Sequence, residues 1–211
     1  MNTTEIILVR HGETEWNLSG RWQGHADSAL SKRGVSQSEF LGKRIKSMPV
    51  DAVYSSDLER AMHTSRLAGV SSHWDALPMA ELRERGLGVL EGMTTSEMQS
   101  KQSDVYHQFL NNGPEYQPPG GESFQQFFDR CSNAVENLVD MHPGKKILCF
   151  THGGVLGVIF RKVLNLGLDV ERNFLLLNCS INRIQKSNGK WHLVSWGDVA
   201  HLQELGSLDD S

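Results

Sequence analysis

The sequence predicts an α/β protein: a three-layer sandwich with a mostly parallel central sheet, helices on both faces, an antiparallel edge strand and a small insertion over the site. Three observations predict it. Short apolar runs, IILV after Glu5, DAVYSS from Asp51 and KKILCF from Lys145, read as strands buried on both faces. Each runs through a polar turn into helical periodicity, the pattern of strand-helix crossovers in a parallel sheet. Near the end, NCSINRIQKSNGKWHLVSWGD alternates on either side of Asn188-Gly189, a two-residue hairpin signal that adds antiparallel pairing at one edge.

The first strand, residues 5–9, ends at Arg10, and some twenty residues rich in glycine, tryptophan and polar groups separate it from the next helix. A loop that long after a central strand is usually functional. Ser31 suits the N-cap of a helix running to about Met48, with Leu41, Ile45 and Met48 on one face. After the second strand, Ser56 and Glu59 spell a capping box for a helix over residues 57–68, which puts Arg60 in its first turn. LRERGLGVLEG occupies 82–92. Residues 92–121 are then a polar stretch expected to hold one amphipathic helix, marked by Met98, Val105, Phe109 and Leu110, and to cover the site as a small insertion. Ser123 and Gln126 make a second capping box, and Phe124, Phe127, Phe128, Cys131, Val135 and Leu138 form an apolar stripe to about residue 140. The strand at 145–150 leads into Thr151-His152-Gly153-Gly154 and the apolar helix VLGVIFRKVL.

With 211 residues, 38% of them hydrophobic, the chain suits a single domain over 1–211. A net charge of −4 and no dense Lys/Arg cluster exclude a polynucleotide partner. No apolar stretch approaches the roughly 20 residues of a membrane span, and the N-terminal apolar run lacks a cleavage pattern, so a cytoplasmic protein with no membrane partner is expected. Cys131, Cys149 and Cys179 lie far apart without CxxC spacing and read as small core residues. No HExxH and no His/Cys cluster at ligand spacing is present, so neither a metal nor a cofactor is expected. His25, His63, His73, His107, His142, His192 and His201 read as surface or packing residues.

Chemistry concentrates on Arg10-His11-Gly12, at the end of the first strand, where open α/β sheets place ligands. Neutral imidazole is a nucleophile near pH 7, and guanidinium is a forked donor matched to phosphate oxygens. Arg60 and His152 leave the carboxyl ends of the other two presumed parallel strands. Four cationic or potentially cationic groups would therefore converge, and their repulsion costs stability unless an anion such as a phosphate dianion sits among them. Phosphoryl transfer to water also needs a carboxylate to protonate the leaving oxygen and later activate water. Glu84 is the candidate, with Glu13, close to His11 in sequence, as its rival.

LVRHGETEWN, SSDLERAMHTS, LRERGLGVLEG and FTHGGV, in that order within residues 5 to about 185, resemble the histidine phosphatase superfamily in its phosphoglycerate mutase-like branch. The resemblance implies His11 as the nucleophile that forms a phosphohistidine and Glu84 as general acid, then base. It implies that Arg10, Arg60 and His152 bind the transferring phosphoryl group and that Asn17 touches phosphate. Gln23 and Gly24 would border the substrate, and the backbone of Gly153 would lie beside the pocket. Family members need no metal, and a homodimer is compatible with the family's habit. Mutases of this kind carry paired arginines in a longer insertion, whereas residues 92–121 hold a single Lys or Arg, Lys101. That favours hydrolysis, as does His201-Leu202, which resembles a phosphatase tail feature. The expected function is a metal-independent phosphomonoesterase acting on a small phosphorylated metabolite. A 2,3-bisphosphoglycerate-dependent phosphoglycerate mutase stands second and a non-catalytic phospholigand-binding module third. Phosphoglycerates, sugar phosphates, phosphoserine and α-ribazole phosphate all remain open, and Trp16, Trp22, Phe109 and Tyr116 serve either as pocket walls or as packing.

Overall fold

Four consecutive apolar side chains, Ile6 to Val9, are buried because strand β1 (Thr4–Arg10) runs through a sheet covered on both faces. The computed structural model describes residues 3–69 and 75–206. Among these, β1 is joined by β2 (Ala52–Ser55), β3 (Leu77–Pro78), β4 (Lys146–Thr151), β5 (Ile181–Ser187) and β6 (Lys190–Asp198), in the order β3-β2-β4-β1-β5-β6. β3, β2, β4 and β1 are mutually parallel; β5 pairs antiparallel with β1, and β6 with β5. The antiparallel edge is thus a hairpin of two strands, turned by Asn188 and Gly189 with φ of 51° and 74°.

Alternation along β1 and β4 divides the core. Ile6, Leu8, Ile147 and Cys149 pack under α6 (Phe124–Met141) and α7 (Gly153–Leu164). Ile7, Val9, Leu148 and Phe150 pack under α2 (Lys32–Ile45), α3 (Glu59–Leu67) and the 3-10 turn at Ala200–Leu205, where Leu202 is fully buried. Each such aliphatic side chain contributes ~1.5–3 kcal/mol on burial. The three cysteines are free and buried in these layers.

Ser31 caps α2 by accepting from the Gly34 N–H, and Ser123 and Gln126 form the reciprocal box at the start of α6. α2 ends at Ile45, three residues before Met48. The Ser56–Glu59 box does not form: α3 begins at Glu59 behind an uncapped Leu58, because the Ser56 hydroxyl faces His152 and the Asp27 carboxylate takes the Glu59 N–H at 2.6 Å. Arg60 nonetheless lies in the first turn of α3. Residues 92–121 contain two helices, α4 (Thr95–Lys101) and α5 (Ser103–Asn111), where one was expected. A non-helical Gln102 (φ −134°, ψ 39°) separates them and shifts the phase of the second, so that Tyr106 turns inward and Leu110 stays exposed. The short helix α1 (Glu15–Leu18) occupies the long loop after β1. No helix of the described residues is long and apolar enough to cross a membrane. His73 lies outside the described residues.

Candidate active site

The sheet order places the carboxyl ends of β2, β4 and β1 side by side, and hydrogen bonds stitch the residues that follow them. The His11 N–H donates to the Thr151 carbonyl at 2.9 Å, and the Ser56 N–H to the Phe150 carbonyl at 2.8 Å. His11 and His152 consequently meet with ring centroids 5.3 Å apart. A cavity of about 390 Å³ opens above them, lined among others by Arg10, His11, Asn17, Gln23, Gly24, Arg60 and Glu84. Segments separated by more than 140 residues thus enclose one hollow, where α/β sheets bind ligands.

His11 is 3% exposed, and its Nδ1 lies 2.7 Å from the Gly12 carbonyl. A carbonyl only accepts, so Nδ1 carries the proton and Nε2 keeps its lone pair. Burial, then the Arg60 and Arg10 guanidinia, push the His11 pKa well below its ordinary value, which keeps the ring neutral and nucleophilic. The backbone behind it is fixed: the His11 carbonyl accepts from Asn178 Nδ2 at 3.0 Å and from the Cys179 N–H at 3.3 Å, and the Gly12 N–H donates to Thr64 at 2.9 Å.

Arg60 is almost wholly buried, and its fork is held from one side. Nη1 donates to the Ala26 carbonyl at 2.8 Å and to the Asp27 carboxylate at 2.7 Å, and Nη2 to the Gly24 carbonyl at 2.8 Å. Nε is buried with no hydrogen-bond partner. Gly24 has φ +57°, and a Cβ there would run into the Glu91 side chain, so the loop that carries these carbonyls requires glycine. Arg10 is tied to the Leu176 carbonyl through Nη1. His152 lies beneath the cavity, fully buried, with Nε2 2.7 Å from the Ser56 hydroxyl. Burial first, then Arg60, His11 and Arg10, hold it neutral too.

Glu84 faces this group across the cavity. Its carboxylate accepts the Gly154 and Arg85 N–H groups, each at 2.8 Å. Because Gly154 lies in the first turn of α7, the N–H that holds the acid is one of those a helix leaves unpaired at its start. The carbonyl of Glu84 is gripped from behind by His25 Nε2 at 2.9 Å and Arg130 Nη2 at 3.1 Å. The flanking guanidinia are directed elsewhere: Arg83 forms a two-pronged pair with Asp57 at 2.6 Å per bond, and the Arg85 guanidinium lies against the rings of Phe109 and Phe124. The rival acid, Glu13, is engaged by the Ser31 hydroxyl at 2.5 Å and does not line the cavity.

Among the residues expected to border substrate, Asn17, Gln23 and Gly24 line the cavity. The Asn17 Oδ1 is committed to the Thr14 N–H and hydroxyl at 3.1 and 3.0 Å, so the amide NH₂ remains for a ligand. Gly153 borders an adjoining cavity instead, and Gly154 lines both. Sequence reasoning missed Asp27, Gly154, the pairing of Ser56 with His152, and the His25 and Arg130 contacts behind Glu84. Among the described residues there is no group of three His, Cys, Asp or Glu side chains arranged to hold a metal ion.

Comparison with known proteins places the whole chain in a family. The chain is 37% identical over 208 residues to phosphoglycerate mutase-like protein 4 of Arabidopsis thaliana, covering 97% of this chain and 89% of that protein. It is 37% identical over 209 residues to a metal-independent phosphoserine phosphatase of the same plant, covering 97% and 86%. Bacillus stearothermophilus YhfR superposes with a TM-score of 0.86 at 32% identity, covering 94% of this chain and 99% of that one. Residues 6–199 match the model of the histidine phosphatase superfamily, branch 1, and with the RHG turn at the head of the sheet the chain belongs to that superfamily.

Proposed function

We propose that this protein is a metal-independent phosphomonoesterase that hydrolyses small phosphorylated metabolites through a phosphohistidine on His11. The observation that carries the reading is the commitment of His11 Nδ1 to the Gly12 carbonyl, which leaves a neutral Nε2 lone pair among Arg10, Arg60 and His152. In the first step Nε2 attacks phosphorus, the bond to the ester oxygen breaks, and Glu84 gives that oxygen a proton. In the second, Glu84 takes a proton from water, the hydroxide oxygen attacks phosphorus, and the P–N bond breaks to release phosphate. Arg10, Arg60 and His152 stabilise the equatorial oxygens, where charge is spread in the transition state.

The cavity walls favour water over an organic acceptor. α4 and α5 contribute Phe109 to the lining, and Lys101, the sole Lys or Arg of 92–121, is spent on Glu97 at 3.2 Å. Arg21 and Arg85 do line the cavity, but Arg21 is bonded to Glu97 and to the Gly92 carbonyl, and Arg85 to the Glu122 carbonyl. They leave the mutase as a second reading and favour a substrate with an acidic group beside its phosphate, as in phosphoserine or a phosphoglycerate.

Incubation with 3-phosphoglycerate and a trace of 2,3-bisphosphoglycerate separates the two. Phosphate release outpacing isomerisation is expected; the reverse ratio assigns the mutase. His11→Ala is expected to abolish turnover of p-nitrophenyl phosphate with an unchanged circular dichroism spectrum, and full turnover in that folded variant removes His11 from its role.

A further inference from the structure

His152 raises a problem that its neighbours answer. A neutral imidazole has one N–H and one lone pair. Facing a phosphoryl oxygen, the N–H stabilises and the lone pair repels. The ring is completely buried, Nε2 is 2.7 Å from the Ser56 hydroxyl, and Nδ1 is buried with no hydrogen-bond partner. Nδ1 is therefore the atom left for a phosphoryl oxygen, and its usefulness depends on the tautomer.

We propose that Ser56 is a positioning residue that fixes His152 in the Nδ1–H tautomer, so that an uncharged ring donates to the transferring phosphoryl group. The Leu58 N–H takes one lone pair of the Ser56 oxygen at 3.3 Å, and the acceptor within reach of the hydroxyl proton is Nε2 at 2.7 Å, so a proton on Nε2 would leave that hydroxyl proton unpaired. Nε2 then accepts, and the ring proton stays on Nδ1. The same serine is anchored at the end of β2: its N–H donates to Phe150, its carbonyl accepts the Ser55 hydroxyl at 2.8 Å, and the residue has no solvent exposure. A fixed hydroxyl in a fixed turn sets the ring's plane as well as its protonated atom. His11 is held in the same Nδ1–H form by a carbonyl, yet it turns its lone pair to phosphorus. One tautomer therefore serves as nucleophile in one ring and as donor in the other, and the difference lies in which nitrogen the backbone or Ser56 occupies.

The catalytic consequence rests on the assignment of His152 to the phosphoryl group; the tautomer itself does not. The test is ¹⁵N spectroscopy of histidine-labelled protein at pH 7.5, with His152 assigned by its loss in His152→Asn, alongside kinetics on p-nitrophenyl phosphate. Wild type is expected to show protonated Nδ1 and bare Nε2. Ser56→Ala is expected to move the proton wholly or partly to Nε2 and to lower kcat about 10- to 100-fold, the scale of losing a hydrogen bond that orients a functional ring. KM should hardly move, and Ser56→Thr should restore both readouts. A wild-type spectrum with protonated Nε2 overturns the proposal whether or not any variant folds, and so does a Ser56→Ala protein that keeps the Nδ1–H signal. Undiminished turnover in His152→Asn, by contrast, strikes at the phosphoryl role of His152 and leaves the tautomer measurement standing.

Discussion

Two buried neutral histidines at the end of one sheet make folding stability depend on pH in a calculable window. His11 and His152 both have folded pKa values pushed well below 6.5, chiefly by burial and then by the guanidinia around them. The unfolded chain binds a proton at each as pH falls through 6.5, and the folded chain does not. Stability is therefore complete above that value and is lost below it. One unit lower, at pH 5.5, each ring costs at most RT ln 11, about 1.4 kcal/mol, reached when the folded ring takes no proton, so the pair costs up to about 3 kcal/mol.

Other groups are separable. Glu97 and Glu136, each held at about 2, have an unfolded value of 4.5, so their contribution is lost only as pH falls below that. His201, also lowered by burial, adds in the same window as the two site rings. Urea denaturation followed by tryptophan fluorescence at pH 7.5 and 5.5 measures the sum in wild type. His11→Asn should remove about half of the site's share, and the double variant with His152→Asn should lose little beyond the His201 part. A double variant that destabilises on acidification as much as wild type would refute the claim that these rings are neutral in the fold.

Gly154 and Asp27 offer sharper probes of the site. A Cβ on Gly154 would lie 2.0 Å from Glu84 Oε1, so Gly154→Ala should displace the acid and lower kcat about 100-fold, within the range of a general acid-base contribution. Unchanged kcat in a folded Gly154→Ala protein would dissociate Glu84 from proton transfer. Asp27→Asn weakens the grip on Arg60 and the cap on α3 together. It should lower kcat/KM about tenfold and cost ~1–2 kcal/mol in thermal denaturation, the scale of a lost helix cap. Full activity there would mean that Arg60 holds its place without the pair.

Local chemistry explains which parts of the site were legible. Arg10, His11 and His152 end buried strands, and a strand that is buried on both faces fixes where its last residue goes. Arg60 was placed in the first turn of α3 by a capping box that does not exist. The inference survived because the turn after β2 is too short to move the helix start by more than two residues. The true cap, Asp27, lies 32 residues earlier than the N–H it serves, so no window of sequence reveals it. Ser56 was visible but assigned to the wrong partner, since its competitor His152 is 96 residues away. A signal was also passed over: Thr94 and Glu97 form a capping box that starts α4, which marks where the first helix of the insertion begins, although the break at Gln102 carries no such signal. Glu84 was carried by family resemblance, and only the fold shows why it stands where it does, with its carboxylate held against the first turn of α7 by the Gly154 N–H.

The convergence of four cation-capable groups on one hollow is made affordable by keeping the two rings neutral and tying the arginines to carbonyls and Asp27. That arrangement constrains how an unreactive dianion binds. Sulfate would bring an oxygen to the His11 Nε2 lone pair, where phosphorus sits in the reaction, so binding should carry one proton onto His11. His152 already donates from Nδ1 and needs none. Sulfate keeps its charge between pH 8 and 6, so its affinity should rise as pH falls, by at most about tenfold per unit for one proton. Calorimetric titrations in buffers of different ionisation enthalpy count that proton directly. Affinity that is flat with pH, or a pH dependence that persists in His11→Asn, would show that the lone pair of His11 does not face the bound oxyanion.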